Sequence, residues 1–403
     1  MKDDRKSLIF TSLAHFTNDG NFLLFPTLIA YYKFIPGVSI EFLGVMAILY
    51  NLLSGLLGSP IGKYADRINK DSLLIFTGII IEAISVLFFG IAFVFVGEIN
   101  YIILIAAILL GTGQAFYHPI GASILSFTYG KERSPYAMGI NGSFGSTGRA
   151  LLPSIIVYAI LFFGDFNGLF IIFIYTVISA FIILSGLNFF RRSDMEEKIV
   201  NKEELKKHNK KRNLDYNKYK KFLYILTAIV FIRSIFLLGT VTFIPDYFDE
   251  IFHSKIIMGD VVTISFIGAI FGQPYFGSLT KKFGGKFTIA ISTIISTIFF
   301  GILLLTDNII LVTLIYLIYV FAAFSGFPVL LGYVAQVIPS EFSTQSNALV
   351  WSFGNIVGGS VGIALVTGLL YINISLYESF IFMLIFAVVS VIMLPLLPNK
   401  NKN

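Results

Sequence analysis

Long apolar stretches separated by short polar ones run along almost the whole chain, and they predict helices that cross a membrane. A helix of about 20 apolar residues spans a hydrocarbon core about 30 Å thick. Twelve stretches reach that length, at about residues 8–32, 40–63, 72–97, 99–128, 136–163, 167–190, 221–248, 256–280, 286–305, 309–337, 344–371 and 376–397. The pattern therefore predicts an all-α integral membrane protein with twelve transmembrane helices.

One long polar stretch lies in the middle of the chain. Arg191 to Lys221 contains 12 Lys/Arg and 6 Asp/Glu, so it carries +6, the formal net charge of the whole chain. Apolar halves of similar length flank it, which is the layout of a transporter built by duplication. We predict a six-helix bundle at 1–190, a cytoplasmic charged linker at 191–221 and a second, pseudo-symmetric six-helix bundle at 222–403.

Three short motifs recur in the same order in both halves, which supports the duplication. The pairs are FYHP at 116–119 with SGFP at 325–328, SFG at 143–145 with SFG at 352–354, and GSP at 58–60 with GQP at 272–274. Two halves repeated in parallel are related by an axis along the membrane normal, with the transport pathway between them.

Basic residues between the predicted helices fall almost entirely on one side of the membrane. Twelve helices place 25 of the 29 Lys/Arg on the side of the termini and the middle linker, and only Lys33 and Lys255 on the other. This distribution is the positive-inside pattern. It predicts a multi-pass protein of the cell (plasma) membrane with both termini in the cytoplasm.

The composition excludes several other classes of protein. Charged residues make up 13% of the chain, whereas soluble domains have about 25%. The absence of cysteine excludes disulfides, thiolate metal sites and cysteine nucleophiles. No glycine-rich nucleotide loop is present, so we expect no cofactor and no direct use of ATP. An enzyme is the rival class, because Asp246 and Asp249 resemble a weak magnesium-binding pair, but we predict no enzyme.

The turn between the second and third predicted helices carries the most specific motif. Gly62, Asp66, Arg67 and Lys70 match the pattern G-x-x-x-D-R-x-G-R/K of the major facilitator superfamily, and Asn69 replaces its second glycine. The chain resembles that superfamily over essentially its whole length. The resemblance implies alternating access, with these four residues acting as a conformational latch on the cytoplasmic side.

Within the superfamily, the chain is similar to the fosmidomycin-resistance-like branch of exporters. The similarity lies in HFTND at 15–19 with Pro26, GTG at 111–113 followed by FYHP at 116–119, and Arg233-Ser234 with Pro245. The branch implies efflux of a small compound. Fosmidomycin is a phosphonate, which two arginines would suit.

Charged residues inside predicted helices are the main functional candidates, because each costs at least about 2.5–3.5 kcal/mol at the bilayer centre. His15 and Asp19 are one helical turn apart and could form a proton relay, and Glu82 is a further proton-coupling candidate. The alternative is that His15 and Asp19 form a hydrogen bond that only packs helices.

Two arginines, one from each half, are candidates for binding an anion, because a guanidinium keeps its charge and fits phosphonate or carboxylate. The predicted substrate-binding residues are Arg149, Arg233, His118, Gln114, Asn18, Gln273 and Asn355. Alternatively, the arginines neutralise Asp19 or Glu82. A metal site at His15, Asp19 and His118 is conceivable, although we predict none.

These observations predict a secondary active transporter that exports a small organic compound or drug by proton antiport, with an organic anion as one candidate. Proton-coupled uptake of a small anionic nutrient by symport is the alternative, and divalent metal transport is a distant one. The expected partners are a small-molecule substrate, protons and the lipid bilayer, with no nucleic acid, and the chain is expected to be monomeric.

Overall fold

The computed structural model describes residues 3–68, 70–191, 217–338, 346–347 and 349–397. Its longer helices are α1 (Asp3–Phe22), α2 (Leu24–Tyr32), α3 (Ile40–Ile68), α4 (Asp71–Ala92), α5 (Ile99–Phe163), α6 (Asp165–Leu187), α7 (Asn217–Phe252), α8 (Lys255–Phe283), α9 (Gly285–Leu303), α10 (Ile309–Ala323), α11 (Gly326–Val337), α12 (Gly358–Tyr371) and α13 (Leu376–Met393). A π-helix (Leu349–Val357) precedes α12. Most of the predicted charged linker, residues 192–216, lies outside the described residues.

The prediction of an all-helical membrane fold is confirmed. In the described part of the chain, eleven helices are long and apolar enough to cross a membrane. The first predicted segment is not among them, because it divides at Leu23 into the polar α1 and the short α2. The two predicted segments within α5 appear separately, as Val96–Tyr129 and Tyr136–Phe163.

The helix α5 folds back on itself. The hydroxyl of Tyr117 lies 2.9 Å from Oδ1 of Asn141, which is 24 residues further along the chain. A straight helix of that length would separate the two by about 36 Å. The chain therefore reverses direction between Tyr129 and Tyr136, as two antiparallel membrane segments require.

The tenth predicted segment is broken where its proline motif begins. α10 ends at Ala323 and α11 starts at Gly326. Pro328 has no N–H to donate to the carbonyl of Phe324, and the end of α10 leaves further carbonyl groups without helical partners. Side chains replace two of these bonds: the Ser325 hydroxyl donates to the carbonyl of Ala322 at 2.7 Å, and Arg233 donates to that of Ala323 at 3.0 Å.

The two ends of the helices pack differently. We call the end that holds Lys33 and Lys255 the distal end, and the opposite end, where the described chain begins, the proximal end. At the distal end, one apolar core joins side chains of both halves, from Leu23–Tyr32 to Phe236–Phe248. At the proximal end, each half has its own core. Among the described residues, the apolar cores of the two halves are therefore joined distally and separate proximally.

Polar contacts between the halves also lie at the distal end. Lys33 Nζ is 2.6 Å from Asp246 Oδ1 and 3.0 Å from Glu250 Oε1. Lys255 Nζ is 2.7 Å from Asp249 Oδ2 and donates to the carbonyl of Ala30 at 2.6 Å. Each carboxylate of the Asp246–Asp249 motif thus lies beside a lysine.

Candidate functional site

A cavity of about 180 Å³ lies between the two halves. Nine of the ten predicted proton- and substrate-binding residues line it: His15, Asn18, Asp19, Gln114, His118, Arg149, Arg233, Gln273 and Asn355. Sequence reasoning missed other lining residues, including Asn51, Ser54, Phe22, Ala323 and Phe324. Asn51 could have been found, because it is a lone amide in an apolar segment, whereas nothing marks Ala323 before the helix break is known.

Asp19 is the centre of a charged cluster on the cavity wall. Its Oδ2 lies 3.1 Å from His15 Nε2 and 3.4 Å from Arg149 Nη1, and its Oδ1 lies 3.4 Å from His118 Nε2. Asn18 Nδ2 also donates to Oδ1, at 3.0 Å. The carboxylate is 5% exposed, whereas His118 is 49% exposed because it faces the cavity. One buried carboxylate thus receives two imidazoles, a guanidinium and an amide.

The imidazole of His15 is oriented by a second polar group. Its Nδ1 lies 2.7 Å from Oδ1 of Asn141, an oxygen that can only accept, so Nδ1 carries a hydrogen. In a neutral ring Nε2 is then a lone pair facing the Asp19 carboxylate. Two acceptors at 3.1 Å require a proton between them. A hydrogen therefore joins His15 to Asp19.

Gly145 on α5 makes room for this pair. A Cβ added there would lie 2.5 Å from Nε2 of His15 and 2.9 Å from Oδ2 of Asp19. Contacts that short force neighbouring atoms apart. The glycine of the SFG motif is therefore needed for the close approach of α5 to α1 at the cluster.

The two cavity arginines have different surroundings. Arg149 contacts Asp19, donates to Ser146 Oγ at 3.3 Å and lies over the ring of Phe324. Arg233 is 5% exposed and donates to the carbonyl of Ala323, but its Nε has no hydrogen-bond partner in the described structure. Within the described residues, Arg233 forms no ion pair with a carboxylate.

Three amides complete the polar part of the wall. Gln273 Nε2 donates to Ser146 Oγ at 2.7 Å, which links α8 to α5 across the halves. Asn355, in the π-helix, accepts from Ser234 Oγ at 2.9 Å. Gln114 lines the cavity with its Nε2 unpartnered among the described residues. π-helical turns occur frequently at functional sites, and this one brings Asn355 to the cavity.

Glu82 is the predicted proton-coupling residue that lies off the cavity. It is fully buried between α4, α1 and α5, where Asn21 Nδ2 donates to its Oε2 at 2.8 Å. Its Oε1 has no partner among the described atoms. A Cβ on Gly113 would lie 2.7 Å from its Cγ, so the α5 backbone packs directly against it.

His15, Asp19 and His118 are the residues that could hold a metal ion. One donor atom of each lies within 4.8 Å of the others, and the described residues contain no other such group. Two imidazoles and a carboxylate suit divalent transition metals. The guanidinium of Arg149, 3.4 Å from the same carboxylate, places a positive charge where it would repel the ion.

The predicted latch lies at the proximal end. A Cβ on Gly62 would lie 3.4 Å from Cβ of Pro119, and its counterpart Gly277 is similarly placed, at 3.6 Å, against Pro328. The same glycine–proline contact therefore occurs in both halves. Arg67 and Lys70 are exposed, while the side chain of Asp66 and all of Asn69 lie outside the described residues. The latching role of Gly62, Asp66, Arg67 and Lys70 stays a prediction.

Part of this chain is similar in sequence to a known protein. An uncharacterized MFS-type transporter, YfnC of Bacillus subtilis (strain 168), is 23% identical over 177 residues, which are 44% of this chain. The match covers only 41% of that relative's length. The similarity to fosmidomycin-resistance exporters stays a prediction.

Solved structures show the same fold along the whole chain. A bacterial homologue of the human lysosomal transporter Spinster, inward-facing and unoccupied, has a TM-score of 0.71 at 14% identity and is matched over 98% of this chain and 97% of its own. A peptide transporter in complex with alafosfalin has a TM-score of 0.71 at 16% identity over 99% and 96%. The family model for the Major Facilitator Superfamily matches residues 9–253 and 226–403. The chain is therefore a multi-pass membrane transporter that belongs to the Major Facilitator Superfamily.

Proposed function

We propose that this transporter couples protons to the movement of a small organic anion through the cavity between its halves. The observation that carries the proposal is the cluster at Asp19. Its carboxylate borders the cavity and contacts both His15 and Arg149, so proton binding there changes the charge that a substrate meets.

The charges favour symport, the alternative from the sequence, if the substrate is an anion. A proton on Asp19 removes the negative charge that holds Arg149, and the freed guanidinium attracts an anion. An anion in the cavity in turn favours the proton, since linked binding is reciprocal. Proton and anion then bind together and cross in the same direction.

Export by antiport, the leading prediction from the sequence, is the second candidate. It is favoured by the position of the Asp19 carboxylate on the cavity wall, where a compound carrying a cation would compete with the proton. Mutually exclusive binding produces exchange. The sign of charge on the substrate therefore decides between the two modes.

The packing of the two ends supports alternating access by rocking of the halves. They share a core distally and are separate proximally. If the termini are cytoplasmic, as the Lys/Arg distribution predicts, this is an inward-facing state. We place the transporter in the cell membrane as a monomer, with protons and a small molecule as its partners.

The test uses purified protein in liposomes that contain a pH-sensitive dye, with no ion gradient and with the membrane potential clamped. Benzenesulfonate and phenyltrimethylammonium are added outside, because neither can cross as a neutral species. Internal acidification with the anion means symport. Internal alkalinisation with the cation means exchange, as for an exporter running in reverse.

Protein-free liposomes and the Asp19→Asn variant are the controls, and neither should give a pH change. Entry of each probe is measured separately by mass spectrometry of the liposome contents. A probe that accumulates inside without any pH change would contradict proton coupling.

A further inference from the structure

The first turn of α11 opens at the cavity directly beside a buried guanidinium. Gly326, the first residue of α11, lines the cavity, and a Cβ there would lie 3.4 Å from Arg233 Nη1. The side chain of Ser325 does not cap this helix, because its hydroxyl donates to the carbonyl of Ala322 instead. A helix N-terminus carries partial positive charge and binds anions. Two sources of positive potential therefore meet at one point of the wall.

Arg233 is also the cavity arginine whose charge is uncompensated in the described structure. Arg149 has Asp19 as its counterion, whereas Arg233 donates only to the neutral carbonyl of Ala323. Burying an unpaired charge is costly. The position is suited to a counterion that arrives from outside, since such a ligand would supply the missing negative charge.

The wall around Arg233 contains more large apolar side chains than the wall around Asp19. Leu237, Leu238, Phe324 and Trp351 line the cavity on the side of the C-terminal half. Aromatic and branched side chains of this kind bind the hydrocarbon part of a ligand. A strongly hydrated inorganic ion would gain nothing from them.

We propose that Arg233 and the first turn of α11 bind the acid group of an amphipathic organic anion, whose apolar part lies against Leu237, Phe324 and Trp351. This inference rests on the proposed function and names its substrate class: an aromatic or alkyl sulfonate, phosphonate or carboxylate. On binding, the acid group replaces the carbonyl of Ala323 as the acceptor for Arg233. The break between α10 and α11 thereby loses one of its side-chain bonds when substrate arrives.

Trp351 provides the assay, because it is the single tryptophan of the chain and lines the cavity. Its fluorescence is titrated in purified protein with benzenesulfonate, neutral benzenesulfonamide and small methanesulfonate. Benzenesulfonate should bind about tenfold tighter than either of the others, since one lacks the charge and the other the apolar part.

Arg233→Met should reduce the preference for benzenesulfonate over benzenesulfonamide to about twofold or less, and Arg233→Lys should restore part of it. Methionine is apolar and similar in length, and thermal unfolding confirms that the variant is folded. The same substitution at Arg149 should change the pH dependence of binding but keep the preference for the anion.

Two results would overturn the inference. One is equal binding of all three probes to the wild-type protein. The other is loss of the anion preference in Arg149→Met with its retention in Arg233→Met. The proposed function fails separately, since binding with the expected preference but without proton movement in liposomes would remove the coupling and leave the anion site.

Discussion

The two walls of the cavity carry similar groups in opposite situations. On the wall of the N-terminal half, Arg149, His15 and His118 all contact one carboxylate, Asp19. On the wall of the C-terminal half, Arg233 has only a backbone carbonyl. On the first wall the positive and titratable groups share one counterion, whereas on the second wall the described structure shows an arginine without one. Under the proposed function, proton binding belongs to the N-terminal half and anion binding to the C-terminal half.

If the two functions are divided in this way, coupling between the proton and the anion depends on the cavity that the two walls share. Arg149 connects the two walls, since its guanidinium contacts Asp19 and lies over Phe324 of the opposite half. Neither half needs to contain both functions. Breaking one wall should therefore leave the other function measurable.

Asp19→Asn should have the largest effect, because it removes the only carboxylate in the described part of the N-terminal wall. Asparagine keeps the shape but cannot hold a proton, and both His15 and Arg149 lose their counterion. Transport driven by a pH gradient should fall to the level of protein-free liposomes. Binding of benzenesulfonate, measured by Trp351 fluorescence, should persist. Gradient-driven transport at the wild-type rate would show that the proton binds elsewhere.

Gly145→Ala should damage the same wall without changing any charged residue. The added methyl would lie 2.5 Å from His15 Nε2 and must displace the ring. Loss of one charge-assisted hydrogen bond should slow proton-coupled transport about tenfold. Gly139→Ala is the matched control, since a Cβ there meets nothing within 4 Å on the same helix. Equal rates for the two variants would contradict the packing role of Gly145.

The fold and most of the polar residues of the cavity wall could be predicted from the sequence, but the partners of those residues could not. A charge inside an apolar segment is costly, so Asp19, Arg149 and Arg233 were recognisable from the sequence alone. Which arginine faces Asp19 depends on how α1 packs against α5, and no local pattern encodes that. Asn141, which orients His15, is an ordinary amide in a glycine-rich segment until the fold brings it there.

The positions of Glu82 and of the break after α10 likewise depend on the tertiary structure. A charge on Glu82 would be as costly in the membrane as a charge on Asp19, yet Glu82 packs against Gly113 away from the cavity. The motif at 325–328 was found as a repeat of FYHP. Arg233 lies on α7, 90 residues before Ala323 in the chain. Only the tertiary structure shows that it contacts the break.

Lys33→Gln should have a smaller effect than the two changes above. It should shift the equilibrium between the states in which the distal end is closed and open. Burial alone would lower the pKa of Lys33, but Asp246 and Glu250 raise it above its usual value. Lys33 is therefore charged at neutral pH, and it loses its charge as the pH rises through that raised pKa. Removing the charge should favour opening of the distal end by about threefold to tenfold.

The measurement uses the absence of native cysteine. Thr27→Cys places a thiol in the shared distal core, where Thr27 is fully buried. Labelling by a maleimide should accelerate in Lys33→Gln and remain slow in Lys33→Arg, which keeps the charge. Unchanged labelling at neutral pH would mean that the apolar core alone closes this end.

Glu82→Gln should have the smallest effect, and it tests whether the N-terminal half contains a second proton site. The carboxyl accepts one hydrogen bond, from Asn21, and no described cation contacts it. An unpaired carboxylate costs at least about 2.5–3.5 kcal/mol in the membrane interior, whereas a neutral carboxyl does not. Glutamine matches the neutral form in shape and can accept the same bond, so transport should stay within about twofold of wild type at every pH. If Glu82→Gln instead abolishes the pH dependence as Asp19→Asn does, the proton route runs through α4. The N-terminal half would then contain two proton sites in series.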